Sequence, residues 1–294
     1  MQTADGWTLS VQHLPAQGPV RGVAVLGHAM MVDRRSMDRP PGRGLASTIA
    51  AAGWHVLLAD LRGHGRSGPT PSEGGSWSYD DLVFGDLPAL IGAARRVHPG
   101  LPVALVGHSL VGHVAMAVAG SGAYGQEAPP DLHVLIAANM WIWGLDPDRD
   151  LARARGTLLF QGITRLFGRF PSRLVRMGPA EEARPYVRDL ARFLFSGVWG
   201  SGDGRHDYWR NLARVRGPVL ALGGRADALM AHPEGLRRWT EGLTDAQVEL
   251  RILGAGDLGL TADPGHMELV TDPGSRGVWD EMARWMGAHA GIAG

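Results

Sequence analysis

Val103-Ala104-Leu105-Val106-Gly107-His108-Ser109-Leu110-Val111-Gly112 carries four apolar residues straight into a glycine-flanked serine. Helix-like spacing begins at once and runs through Val118, so the stretch reads as strand, sharp turn and helix, the arrangement of a nucleophile elbow. A serine on such a turn is lifted above its sheet between small neighbours. The helix behind it aims free backbone amides at any negative charge that develops nearby. Ser109 is thereby placed to attack a carbonyl.

Outward from this stretch, short apolar runs recur at Val23 to Leu26, His55 to Ala59, His133 to Ala137, Val219 to Leu222 and Val248 to Leu253. Runs of this length, bounded by turn residues, are the pattern of strands buried on both faces of a parallel sheet. Between them, Arg43 to Ala52, Tyr79 to Val97, Val111 to Val118, Pro233 to Leu243 and Ser275 to Met286 space their apolar residues by three and four, as helices packed on a sheet do. The pattern predicts an α/β fold, with Asp5 to His13 alternating like an antiparallel edge strand. After Asn139 the alternation stops for roughly seventy-five residues, too long for a bare loop. This segment is rich in aromatics and arginines and reads as a helical lid over 140–215, inserted into a core formed by 1–139 and 216–294.

Three further stretches carry a family resemblance. Asp60-Leu61-Arg62-Gly63-His64-Gly65-Arg66-Ser67 is a glycine turn after a strand. Pro218 to Asp227 is a strand entering Gly223-Gly224-Arg225-Ala226-Asp227, and Pro264-Gly265-His266-Met267-Glu268-Leu269 follows the final strand. Together with the Ser109 elbow they make the chain resemble the α/β-hydrolase superfamily from Asp5 to about Met286. The resemblance implies a mostly parallel sheet flanked by helices, with the helical lid placed before the strand that carries the triad acid. It also implies a catalytic triad of Ser109, Asp227 and His266. Asp257 and Asp263 are less well-matched alternatives for the acid. The order Ser, Asp, His is that of this fold and differs from the orders of chymotrypsin-like and subtilisin-like proteases. The Asp60 to Ser67 loop is implied to be structural.

The same resemblance assigns two oxyanion donors, the backbone amides of Leu110, after the nucleophile, and Met30, in Gly27-His28-Ala29-Met30. Two residues depart from the family's pattern. Ala29 and Val111 both stand where glycine is usual, which implies a wider or re-aimed oxyanion hole. Trp141, Trp143, His28 and Val111 are the expected pocket residues. The segment from Trp141 to Trp209 looks like the lid of a bacterial group of α/β-hydrolases, and its content points only to an apolar substrate.

Composition narrows the remaining classes. The chain has 294 residues, 45% hydrophobic and 20% charged, which suits one globular core with an insertion. It carries 29 basic and 29 acidic residues, every basic one an arginine, so no net field favours nucleic acid or an anionic membrane. With no cysteine there is no disulfide framework, thiolate metal site or cysteine nucleophile. No signal peptide or membrane span is legible, and a cytoplasmic protein is expected. Among its 12 histidines no His-Glu-X-X-His spacing occurs, and neither metal nor cofactor is expected in catalysis. The expected activity is hydrolysis of an ester, lactone or thioester with a hydrophobic part, through an acyl-Ser109 intermediate. Acyl transfer on the same triad and a non-catalytic ligand-binding protein are the alternatives.

Overall fold

Alternation along the strands decides which helices cover which face of the sheet. In β2 (Gly22–Gly27), β3 (Trp54–Ala59), β4 (Val103–His108) and β5 (Leu132–Ile136), one face presents Val23, Val25, Leu57, Leu105 and Leu135. These pack with Leu90 and Ile91 of the helix Leu87–Val97 and Val114 and Val118 of the helix Leu110–Ser121. The opposite face presents Ala24, Leu26, Val56, Leu58, Val106 and Ile136 against Leu45 and Ile49 of the helix Leu45–Ala51 and Trp279 and Met282 of the helix Arg276–His289. Both faces are thus covered, which is why these strands read as continuous apolar runs.

The computed structural model describes residues 1–291. Its seven-stranded sheet adds β1 (Val11–Leu14), β8 (Gly217–Gly224) and β9 (Ala246–Leu253) in the order β1-β3-β2-β4-β5-β8-β9. Only the β1–β3 pair is antiparallel. The sheet matches the expected α/β-hydrolase architecture. The edge strand is shorter than the sequence suggests: Asp5 to Ser10 lies outside the sheet, because the chain first folds back on itself through a bridge between Gln2 and Thr8. No helix among the described residues is long and apolar enough to cross a membrane.

The helix expected over Tyr79 to Val97 is a composite. A short turn, Tyr79–Asp81, runs into a π-helical segment, Leu82–Asp86, and then the regular helix Leu87–Val97. Pro88 lacks an amide hydrogen and cannot complete an α-helical ladder there, and the wider π turn absorbs the gap. The same widening leaves Asp86 fully buried against Arg62. Between β5 and β8 the insert forms two long helices, Pro147–Phe167 and Arg184–Ser196, and a short one, Tyr208–Asn211. A two-stranded ribbon of β6 (Arg169–Phe170) and β7 (Glu182–Ala183) joins the two long helices.

The Asp60 to Ser67 loop has the structural role its glycines imply. Asp60 accepts from the amides of Arg34 and Arg66 at 2.9 Å and pairs with the Arg34 guanidinium. Any Cβ on Gly65, which has φ +53°, would collide with the Asp60 carboxylate. Arg62 turns inward: its Nε donates to Asp86 at 2.7 Å, its guanidinium to Asp5 at 2.9 Å, and it lies over the Trp7 ring. Removing it strands the Asp86 carboxylate without its partner. Arg62→Ala should cost about 3–5 kcal/mol in urea denaturation, and Arg62→Leu combined with Asp86→Leu should recover a good part of that loss. An Arg62→Ala protein as stable as wild type would show that the pair contributes nothing.

Candidate active site

The loops that follow the carboxyl ends of β2, β4 and β8 converge, as ligand sites of open α/β sheets do. Ser109 follows β4 with φ 50° and ψ −107°, outside the helical and extended regions. Its amide is tied to the Ile136 carbonyl at 2.9 Å, and its carbonyl accepts from His113 in the first helical turn. His266 Nε2 lies 2.9 Å from Ser109 Oγ, and His266 Nδ1 lies 2.7 Å from Asp227 Oδ2. The structure therefore brings together the three residues the sequence singles out.

Asp227 is 3% exposed. Burial pushes its carboxyl up, but hydrogen bonds from His266, Ala231 and Met230 together with the imidazole charge outweigh this and hold it below the usual carboxylate range. Its Oδ1 takes the Met230 and Ala231 amides at 3.1 and 3.0 Å, which leaves Oδ2 for the imidazole. His108 donates from Nε2 to the His266 carbonyl at 2.9 Å and so fixes the loop as well as the ring. Asp257 and Asp263 lie apart from this relay, facing Arg225 and capping the amides of Gly254 and Ala255.

Beside Ser109 opens a cavity of about 230 Å³, lined mostly by apolar side chains from both core and insert. Met30, Leu110 and Trp141 border it, with Phe160, Tyr186 and Leu190 from the insert. Trp141 is steadied by a hydrogen bond to the Met230 carbonyl at 3.3 Å. Three expected pocket residues lie elsewhere. Trp143 is 42% exposed and donates to the Leu194 carbonyl on the outside of the insert. His28 is buried under the loop it belongs to, donating from Nδ1 to Ala29 and accepting the Leu61 amide on Nε2. That pairing requires a neutral ring, and burial first, then the neighbouring His64, pushes its pKa down to about 3. Val111 points away from the cavity into β2. A Cβ on Gly27 would stand 2.5 Å from Val111 Cγ1, so the missing side chain at Gly27 makes room for the isopropyl group where the family carries glycine.

Two buried contacts escape sequence reading. Glu182, on β7 of the insert and wholly buried, accepts the Met31 amide at 2.6 Å and faces His64 Nε2 at 3.1 Å. His64 Nδ1 meets the Arg62 carbonyl at 2.8 Å. Both ring nitrogens thus face acceptors, which favours the charged form: burial opposes the charge, but Glu182 and the Arg62 carbonyl outweigh it and raise the pKa. The second contact starts at Trp199, whose Nε1 donates to the Tyr79 hydroxyl at 3.1 Å. That hydroxyl in turn donates to His113 Nδ1 at 2.9 Å. His113, which borders the cavity, is left with its proton on Nε2. Burial and then His266 push its pKa down to about 3, so the ring is neutral.

A family model described as "Serine aminopeptidase, S33" matches residues 42–256. The chain belongs to that family. Ser109 and Asp227 of this S33 α/β-hydrolase fall inside the matched span, and Met30 and His266 fall outside it. A monoacylglycerol lipase of Mycolicibacterium smegmatis is 25% identical over 97% of this chain and 92% of its own. A soluble variant of monoglyceride lipase from Saccharomyces cerevisiae, solved with a substrate analog, superposes with a TM-score of 0.69 at 17% identity. It covers 98% of this chain and 95% of that one. An esterase of Pyrococcus furiosus gives 0.65 at 17% identity over 99% and 89%. At such identities the solved structures speak to the fold, and they share it along nearly the full chain.

The packing of Val111 into the space above Gly27 has a direct test. Gly27→Ala should destabilise this S33 hydrolase by about 1–3 kcal/mol through overpacking. Val111→Ala in the same chain should return most of that loss in denaturant titrations. Additive losses in the double variant would mean that the two positions do not share one space.

Proposed function

We propose that the protein hydrolyses carboxylic esters with an apolar part of modest size, using Ser109 as nucleophile, His266 as general base and acid, and Asp227 as the group that orients the imidazole. The observation that carries this reading is the continuous relay from Asp227 through His266 to Ser109 at the wall of an apolar cavity. A serine hydroxyl is a weak nucleophile until a base takes its proton, and His266 Nε2 lies within hydrogen-bond reach of it. His266 would take the Ser109 proton as the acyl bond forms and deliver it to the departing alcohol oxygen. Water, activated by the same imidazole, would then release the acid and restore the hydroxyl. Asp227 keeps the Nδ1 proton in place and stabilises the imidazolium.

Negative charge on the attacked carbonyl oxygen would be met by the amides of Leu110 and Met30, residues that line the cavity together with Ser109. Glu182 supports this arrangement by gripping the next amide, that of Met31, so the Met30 loop cannot drift while the insert is docked. The insert over 140–215 acts as the lid, supplying Phe160, Tyr186 and Leu190 to the cavity. At about 230 Å³ the space lies below the roughly 300–1,000 Å³ of drug-sized ligand pockets, which favours compact acyl or alcohol groups. Tyr186 and Asn139 line the cavity and each carries a buried polar atom, the hydroxyl and Oδ1, without a protein partner; turned toward the cavity, these would suit an ester whose alcohol part carries hydroxyls. The monoacylglycerol and monoglyceride lipases among the relatives support a lipid-ester substrate of that kind.

Wild type should take one fluorophosphonate adduct by intact mass and turn over p-nitrophenyl esters, and Ser109→Ala should do neither. Ser109→Ala and His266→Ala should each lower kcat by about 10⁴-fold or more, and Asp227→Ala by less. A fully active His266→Ala would sink the mechanism. Glu182→Ala should lower kcat by roughly 10- to 100-fold, less than full removal of one oxyanion donor. If its effect fell on KM alone, Glu182 would be a binding residue and not a support for the Met30 loop.

A further inference from the structure

Three of the 12 histidines meet far from the triad, near the amino ends of the parallel strands. His13 on β1 pairs across the ladder with Leu57 of β3, and His55 lies two residues before Leu57. With a side-chain period of two, all three side chains leave the same face of the sheet. Leu57 packs in the cluster that includes Leu87, Leu90 and Ile91, so this is the face covered by the helix Leu87–Val97. That helix ends at His98, where Pro99 prevents another turn. Strand, strand and helix end therefore deliver one imidazole each to a single place.

The three rings bring one nitrogen each close to the spacing of a ligand set. His13 Nε2 and His55 Nδ1 are 3.2 Å apart, close to the roughly 3.3 Å that separates two nitrogens on one tetrahedral zinc ion with bonds near 2.05 Å. His55 and His98 stack with ring centroids 4.0 Å apart, and His13 lies 5.4 Å from His98. One nitrogen from each ring lies within 4.8 Å of the other two. Moderate ring rotations would bring them to bonding separation, and His13, the exposed member, is free to make them. His98 Nε2 is buried with no hydrogen-bond partner, an acceptor or donor that the protein leaves unused. Two contacts compete with a metal for these nitrogens: the hydrogen bond between His13 Nε2 and His55 Nδ1 itself, and one of 3.3 Å from the Ala16 amide to His55 Nδ1. Among the described residues no carboxylate is paired with any of the three rings.

We infer that His13, His55 and His98 bind one divalent transition-metal ion of the zinc class through imidazole nitrogens alone, at a site separate from the catalytic one. Neutral imidazoles suit zinc, copper and nickel over magnesium or calcium. Three protein ligands leave a fourth position for water. Bound there, the ion would staple the edge strand β1 to β3 and to the end of the helix Leu87–Val97, elements otherwise joined at this edge by the β1–β3 ladder. An ion that binds the folded chain and not the unfolded one raises the melting temperature.

Titration calorimetry of the full chain, first stripped with chelator, should show one zinc ion bound in the micromolar range, with a rise in Tm on saturation. His13→Gln, at an exposed strand position, should leave ester turnover unchanged, weaken zinc binding at least tenfold and abolish the Tm rise. His55→Gln and His98→Gln should do the same to binding. If His98→Gln fails to fold, the His13 variant alone decides the matter. Absence of zinc binding at millimolar concentration would overturn the inference. So would one-ion binding that His13→Gln leaves intact, particularly if His266→Ala abolished it, because the ion would then lie at the triad.

Discussion

The backbone of Ser109 is the constraint on which the rest of the site depends. A non-glycine residue at φ 50° and ψ −107° is held there against its own preference, at a cost of order 1–3 kcal/mol. What holds it is packing on every side. A Cβ on Gly107 would stand 2.6 Å from the Gly112 amide, and one on Gly112 would run into the Ala138 methyl. Strand β4 and the helix Leu110–Ser121 can approach this closely only because both positions lack a side chain. The serine hydroxyl is pushed out of the sheet toward His266, and the Leu110 amide is left at the open end of the helix.

The turn chemistry made the elbow, the acid loop and the histidine loop legible, because each depends on residues close together in the chain. Gly107 and Gly112 bracket Ser109, Gly223 and Gly224 precede Asp227, and Gly265 precedes His266. Side-chain direction was not legible in the same way. His28 and Val111 sit near the proposed oxyanion amides along the chain, yet one turns under its loop and the other into β2. Trp143 is two residues from Trp141 and ends on the outer surface. Proximity in sequence fixes the backbone's neighbourhood, whereas the facing partner fixes the rotamer, and Gly27 is 84 positions away from Val111. Glu182 had even less signal, since its partners His64 and Met31 are 118 and 151 residues distant. The composite helix and the shortened edge strand were missed for a related reason: period-based reading sees neither a π turn at Pro88 nor a chain end folded on itself.

Insert and core are joined through buried polar groups as well as apolar contact. Trp199 reaches Tyr79 and through it His113, Asp189 accepts the Tyr79 amide, and Glu182 joins the Met31 loop to His64. Each of these groups would be costly to leave unpaired away from water, so undocking the insert as a rigid piece is disfavoured at its β7 end. The helix Pro147–Phe167 is different: Leu158, Leu159 and Leu166 are 61%, 66% and 80% exposed. Its own tie to the core runs through buried Arg153, which donates to the Leu229 carbonyl at 3.0 and 2.6 Å, so the two sides of the cavity are anchored by different chemistry.

His64 and His28 lie with ring centroids 4.9 Å apart, the pKa of the first raised and that of the second lowered, and only the first has Glu182 against it. The carboxylate that favours the charged form of His64 is contributed by the insert, while the ring belongs to the core. Neither half is self-sufficient. For the divergence of such enzymes this means that inserts are not freely interchangeable modules: a foreign segment grafted between β5 and β8 would need its own acid at this depth, or the recipient would have to change His64 along with it. Variation in substrate preference is therefore steered toward the helix Pro147–Phe167, whose tie to the core runs from Arg153 to a backbone carbonyl and shares no imidazole with it.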